Sequence, residues 1–252
     1  MLFGDLAEAQ GHLFHIDPRD RIVGEYMRRR GVWNPSETRL FSREVQPGMC
    51  VVDAGANLGY FTLLFARRVG AAGSVFAFEP DPTNLALLSQ NVELNRYTNV
   101  TVVGKALSDK PGELSLFLSP FNYGDHRLVS TEKDREAIRV PVTTLDEFFP
   151  SGTRVDFIKM DIQGAEYAAL TGARRVIEDN PRMMIATEFA PVGLKQLGND
   201  PRAFLGDLVD LGFAISVLET GNRGLVPMYG SQALDQLAQR EDEVNLFCAR
   251  GY

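Results

Sequence analysis

The stretch VVDAGANLGYFT, Val51 to Thr62, constrains the fold of this chain more than any other. It reads as a buried strand, MCVVDAG at 49–55, that ends in an acidic residue. The strand opens into the turn Gly55-Ala56-Asn57-Leu58-Gly59 and passes into a helix over Tyr60–Val69. Glycine at these positions lets the backbone turn sharply and lets a ligand lie against it with no side chain between. A strand that feeds a helix this way is the unit of a parallel α/β sheet, and such sheets bind ligands at their carboxyl edge.

The rest of the chain repeats the unit. SVFAFEP (74–80) reads as a second strand with a helix over Asn84–Leu94 behind it, and VTVVGKAL (100–107) as a third. An irregular insertion, 111–142, follows, with LSLFL (114–118) and AIRVPV (137–142) as its strand candidates. VDFIKMD (155–161), a helix over Glu166–Glu178, RMMIATEF (182–189), a helix at 202–211, FAISVL (213–218) and EVNLFCAR (243–250) complete the series. This predicts a mostly parallel, Rossmann-like sheet with helices on both faces. Ahead of it, residues 1–48 form an N-terminal helical extension with one helix around Arg19–Arg30, capped by DPRD and stopped by Gly31. Its Arg28-Arg29-Arg30 run complements a helix dipole and needs no partner. The expected division is therefore the extension, 1–48, and one domain, 49–252.

Composition removes several classes. With 252 residues, 44% of them hydrophobic and 23% charged, the chain is an ordinary globular one. Lys+Arg 26 against Asp+Glu 33 gives a net charge of −7, which argues against a nucleic-acid partner. Two cysteines build no disulfide framework. No apolar run approaches the ~18 residues of a membrane span, and MLFGDLAEAQGHLF lacks the basic lead of a secretory signal. A cytoplasmic protein is expected.

The glycine turn alone fits two adenosine cofactors. A dinucleotide needs G-x-G-x-x-G and a helix N-terminus for its pyrophosphate, whereas this turn reads D-x-G-x-x-x-G. A carboxylate repels a pyrophosphate but suits the ammonium and sulfonium of S-adenosylmethionine. Glu79, which ends the second strand, stands where a carboxylate would clasp a ribose diol.

VVDAGANLGYFT, FEPDPTN, GDHRL, TLDEFF and VDFIKMDIQGAEYAALTGA occur in this order, and together they resemble the FkbM family of S-adenosylmethionine-dependent O-methyltransferases over roughly residues 30–250. The resemblance implies a seven-stranded class I methyltransferase sheet whose last strand inserts antiparallel. It implies methylation of hydroxyl groups, often on sugars or glycosylated metabolites, and a homodimer at the level of the class. Carried over by position, Asp53, Gly55, Ala56, Asn57 and Gly59 would line the methionine portion. Glu79, with Pro80 beside it, would hold the ribose, and Ala106, Leu107 and Ser108 would flank the adenine. Glu37 and Thr38 would belong to a lid over the cofactor.

Methyl transfer to an alcohol requires a positioned oxygen and a group that takes its proton. Asp161 ends the fourth core strand and Glu188 lies near the end of the fifth, so the two carboxylates converge at the carboxyl edge, Asp161 also on the cofactor side. They are candidate bases, anchors for substrate hydroxyls, or hard oxygen ligands for Mg²⁺. His126 is one of three histidines and is the expected base, because imidazole titrates near neutral pH. Phe121, Asn122, Tyr123, Asp125 and Arg127 share its loop and are expected to shape the acceptor site, since aromatic faces and planar donors suit sugar rings. Glu166 is counted on the substrate side, although a place in the first turn of a helix accounts for it. Lys159, two residues before Asp161, would orient that carboxylate. Two other readings share the fold: a nucleic-acid methyltransferase, for which Asp161-Ile162-Gln163-Gly164 replaces the expected Asn-Pro-Pro-Tyr-like string, and a non-catalytic cofactor-binding module.

Overall fold

A computed structural model describes residues 5–119, 122–127, 135–219 and 224–252. The chain opens with a hairpin, β1 (Asp5–Ala9) and β2 (His12–Ile16), then α1 (Val23–Arg30) and α2 (Pro35–Glu44). The strand–helix series follows as β3 (Cys50–Ala54), α3 (Tyr60–Val69), β4 (Ser74–Phe78), α4 (Pro82–Leu94) and β5 (Val100–Val103). The insertion contributes β6 (Ala106–Leu107), β7 (Gly112–Phe117) and β8 (Ala137–Thr143), and α5 (Leu145–Phe148) leads back to β9 (Phe157–Met160). Next come α6 (Glu166–Thr171), α7 (Arg174–Asp179), β10 (Met183–Phe189), α8 (Pro191–Gln196), α9 (Pro201–Asp210), β11 (Ala214–Glu219), β12 (Gly224–Pro227), α10 (Gly230–Ala238) and β13 (Val244–Arg250).

Among the described residues the central sheet has eight strands in the order β12-β11-β13-β10-β9-β3-β4-β5. Strands β10, β9, β3, β4 and β5 run parallel, and β13 inserts antiparallel between β10 and β11. This is the expected class I methyltransferase sheet, extended by β12, which pairs antiparallel with β11 at the edge. Alternation along β3 divides the core. Val52 and Ala54 face a cluster with Leu170, Val176 and Leu208, while Val51 faces Phe41, Leu64 and Phe157 on the other side. Complete burial of a side chain such as Phe65 or Phe157 stabilises by about 1.5–3 kcal/mol. Phe41 lies 5.1 Å from Phe61 and 5.4 Å from Phe157, ring centre to ring centre, which packs α2 against α3 and one face of the sheet.

Several elements depart from the sequence expectation. The stretch before β3 is not one helix but a hairpin and two helices. Gln10 and Gly11 both have positive φ, 52° and 73°, as a two-residue type I′ turn requires. The backbone of β2 is then satisfied by side-chain amides of α4 and its C-cap, with Asn91 on His15 and Asn95 on Leu13. The helix expected around Arg19–Arg30 begins at Val23, its first amides held by Asp20, and ends at Gly31 in the left-handed conformation. VTVVGKAL is two strands, because the chain leaves the main sheet after Val103 and β6 pairs with β8. The helix over Glu166–Glu178 breaks at Gly172, where a Cβ would lie 2.1 Å from the Ser108 carbonyl, and Asp146 caps the restart by accepting from the amides of Arg175 and Val176. Among the described residues no helix is long and apolar enough to cross a membrane.

Candidate active site

The carboxyl ends of β3, β4, β9 and β10 open into a cavity of about 500 Å³. Its first wall is the β3–α3 turn. Gly55 and Ala56 each donate to the Phe78 carbonyl at 3.0 Å, so the turn is fastened to the end of β4. Gly55 has a φ of 74°, and a Cβ there would stand 2.0 Å from the Asp161 carbonyl. This glycine is demanded by the neighbouring strand end, and it also lines the cavity. Glu79 is buried beside the turn. Its Oε2 accepts from the Asn57 amide at 2.7 Å and its Oε1 from the Asp81 amide at 2.9 Å. Burial pushes the Glu79 carboxyl up to about 7, against the pull of those two amides.

The second wall is a row of charges at the ends of β9 and β10. The Lys159 ammonium lies 3.4 Å from Asp53 and 3.7 Å from Asp161, and donates to the Gly55 carbonyl at 3.0 Å. Burial alone would lower its pKa, but Asp53, Asp161 and Glu37 outweigh burial and hold it at about 12. Glu37 reaches down from α2, hydrogen-bonded to Asn34, and burial followed by the Asp161 charge pushes it up to about 8. Glu188 is raised to about 9, by burial first and then by Asp161. The Gln163 side chain stands between the two strand ends: its Nε2 donates to Asp161 Oδ1 at 2.9 Å and to Glu188 Oε2 at 3.2 Å.

The third wall is the part of the insertion at residues 122–127. The Arg127 and Phe117 backbones pair with each other, Asn84 donates to the Tyr123 carbonyl at 3.1 Å, and Asp125 is gripped by Arg127 and Arg135. Arg19 sits 5.9 Å over the Tyr123 ring. His126 Nδ1 accepts from the Ser119 amide at 3.0 Å, and burial lowers its pKa. A backbone N–H can only donate, so the neutral ring carries its proton on Nε2. The structure therefore leaves His126 no free nitrogen to act as the expected base; it is a donor. Phe121, and Leu128 of the GDHRL string, lie outside the described residues.

Residues 53–214, more than half of the chain, match the model of the methyltransferase FkbM domain. The chain belongs to the FkbM methyltransferase family. It is 29% identical over 177 residues to methyltransferase sdnD of Sordaria araneosa, across 58% of this chain and 68% of that protein. It is 28% identical over 143 residues to Methyltransferase 1 of Beauveria bassiana, across 48% of this chain and 57% of that relative, little more than half its length. A solved structure of a candidate rRNA-methylase from Clostridium thermocellum superposes with a TM-score of 0.52 at 14% identity, over 86% of this chain and 94% of that one, a likeness of fold alone.

Against this FkbM frame the sequence-derived residues sort into two sets. Glu37, Gly55, Ala56, Asn57, Glu79, Pro80, Ala106, Leu107, Tyr123, Asp125, His126, Arg127, Asp161 and Glu188 line one cavity. Asp53, Thr38, Gly59, Ser108 and Glu166 do not. Asp53 is wholly buried and accepts from Thr62, Thr38 bonds Trp33 and Tyr60, and a Cβ on Gly59 would meet Leu88. Glu166, expected on the substrate side, accepts instead from the Ile162 and Gly164 amides and fixes the 161–164 turn.

Trp33, Lys105, Gln163, Glu243 and Asn245 line the cavity unforeseen. Glu243 and Asn245 arrive there because β13 inserts beside β10, with Asn245 opposite Glu188. That placement follows from the expected topology and was available to the sequence reading.

The residues present fit S-adenosylmethionine. Each Glu79 oxygen accepts one amide and keeps a second lone pair for a ribose hydroxyl. The second wall gathers the Glu37, Asp161 and Glu188 carboxyl groups, with Lys159 paired to Asp161, a donor set suited to ammonium and sulfonium charges. Mg²⁺ fits less well. Among the described residues no group of three or more His, Cys, Asp or Glu is arranged to hold a metal, and an amide rather than a shared opening joins Asp161 to Glu188.

Proposed function

We propose that this FkbM protein is an O-methyltransferase acting on a hydroxyl group of a small, hydroxyl-rich acceptor, a saccharide or glycosylated metabolite. The observation that carries the reading is the convergence of Asp161 and Glu188 in the same cavity as Glu79 and the glycine turn. S-adenosylmethionine, when bound, would supply a methyl carbon on a sulfonium, activated for in-line displacement with a neutral thioether as the leaving group.

The chain's own task is to hold the hydroxyl and take its proton. Glu188, with Asp161 beside it, is the proton acceptor in this reading; its carboxyl is held at about 9 without a ligand, and the sulfonium and ammonium charges of the bound cofactor would favour its ionised form. His126 donates from Nε2 to an acceptor oxygen and orients it. The faces of Trp33 and Tyr123 suit a sugar ring, and the carboxylate-rich wall disfavours a phosphate-bearing acceptor. A cytoplasmic setting and a homodimer belong to the same reading.

The test is incubation with methyl-labelled cofactor and a panel of sugars, glycosides, amines and oligonucleotides. Label should appear as a methyl ether on a neutral hydroxylated acceptor. Glu188→Gln should lower kcat by about 10²–10⁴-fold, the span of general-base assistance, with chelator leaving the parent rate unchanged. Label on nitrogen or on nucleic acid would overturn the proposal.

A further inference from the structure

Gln163 occupies a turn position that its residue type does not favour. Its φ is 52°, in the left-handed region, and Gly164 follows at 100°. Asparagine or glycine adopts that region more readily than a longer side chain. The turn does not need glutamine for its own stability, since the Glu166 carboxylate already secures the amides of Ile162 and Gly164 at 2.9 and 2.8 Å. What glutamine adds is reach. Its amide extends from the end of β9 to the end of β10, and its two N–H groups go one to each carboxylate, at 2.9 Å and 3.2 Å. The orientation of the amide is determined, because a flipped group would set its carbonyl oxygen against two carboxylates.

We infer that Gln163 is a positioning residue for methyl transfer, whose amide clamps Asp161 and Glu188 at a fixed separation so that Glu188 is aimed at the acceptor hydroxyl. The inference rests on the O-methyltransferase reading above. The charges facing Glu188 come from four directions: Asp161 at the end of β9, Glu166 on α6, Glu243 ahead of β13 and Glu37 on α2. Lys159 stands behind Asp161, 3.7 Å away, and is shared with Asp53. With no amide between them, Asp161 and Glu188 repel across the cavity mouth. Proton uptake is then favoured, and the acceptor oxygen is no longer held in place.

Gln163→Asn and Gln163→Gly test this, since both tolerate the left-handed backbone and neither spans the two carboxylates. In cofactor-free protein carrying ¹³C-labelled glutamate, the Glu188 carboxyl should titrate higher in both variants by about half a pH unit or more, as expected when a donor to the ionised form is lost. In the methyl-transfer assay, kcat should fall on the order of ten-fold, the size of one lost hydrogen bond to a charged acceptor. Its acidic limb should move in the same direction as the titration. Affinity for S-adenosylhomocysteine should stay within about two-fold, because no contact to Glu79 or the glycine turn is touched. An unchanged Glu188 titration in both variants, with Gln163→Gly merely raising the melting temperature, would reduce Gln163 to a turn residue and overturn the inference. A shifted titration in a protein that methylates no hydroxyl would uphold the clamp and count against the proposed function instead.

Discussion

The glycine-turn wall and the insertion wall of the cavity face each other but are held by different forces. In the first, backbone mostly bonds backbone: the 55–56 amides go to Phe78 and the Asp161 amide goes to Ala54, with the Glu79 carboxylate on the Asn57 amide as the side-chain addition. In the second, side chains do most of the holding, through His126 on the Ser119 amide, Asn84 on the Tyr123 carbonyl, and Asp125 between two arginines. The first wall follows from strand ends in a parallel sheet and serves any ligand that presents a diol and a positive charge. The second is built from replaceable side chains, so recognition of a particular acceptor can change there while the sheet stays intact.

A pair of glycine substitutions gives the largest expected contrast. Gly55→Ala places a Cβ 2.0 Å from the Asp161 carbonyl at a φ of 74°, with only backbone to yield. It should cost about 3 kcal/mol or more of folding stability, combining a strained backbone with overpacking. Gly124→Ala meets the Asn122 side chain and Val23 at 3.3 Å, contacts that can move. Its cost should stay within about 0.5 kcal/mol. Urea denaturation of both variants measures the difference, and equal losses would mean that the two walls are equally rigid.

A smaller effect separates the walls by ligand. Glu79→Ala strands the Asn57 and Asp81 amides and removes the ribose acceptor, so calorimetry should show a loss of about 1–3 kcal/mol in S-adenosylhomocysteine affinity. Arg127→Ala should leave that affinity unchanged and raise the acceptor KM several-fold, about 1 kcal/mol, through release of the partly exposed Asp125 pair. If Arg127→Ala weakens the cofactor product instead, the insertion belongs to the cofactor pocket.

The same division explains what could be read from the sequence. The turn, Glu79, Asp161 and Glu188 were legible because an apolar run followed by an acidic residue marks the end of a buried strand, and strand ends converge in a parallel sheet. His126 was legible as a cavity residue but not as a donor, since its tautomer depends on the Ser119 amide seven positions away. The further demand for glycine at position 55 depends on a residue distant in sequence: the atom that excludes a side chain there belongs to Asp161. Nothing in the sequence singles out Gln163, because only the spacing of two strands shows what its amide spans. The hairpin before α1 escaped notice because Gln10-Gly11 is a weak turn signal and the partners of β2 are amides on α4 and its C-cap.

The least obtrusive contrast is electrostatic, and its two terms have opposite sign. Burial raises Glu79 to about 7 in the folded chain. A carboxyl raised on folding contributes stability that is fully present below its ordinary pKa and is lost as pH rises through the folded value. Stability of the parent relative to Glu79→Gln should therefore fall between about pH 4.5 and 7, by on the order of 1–3 kcal/mol. Burial lowers His126, with Asp81 and Asp125 opposing. A histidine lowered on folding contributes stability present above its ordinary pKa and lost as pH drops below it. Stability of the parent relative to His126→Gln should thus fall as pH is lowered from 6.5. Urea denaturation of the parent and both variants at several pH values between 5 and 8 gives the two difference curves. Opposite slopes would show that the turn wall keeps a buried carboxyl and the insertion wall a buried neutral imidazole. Slopes of one sign would mean that His126 is protonated in the folded chain, which would break its hydrogen bond from the Ser119 amide and restore the ring as a proton carrier.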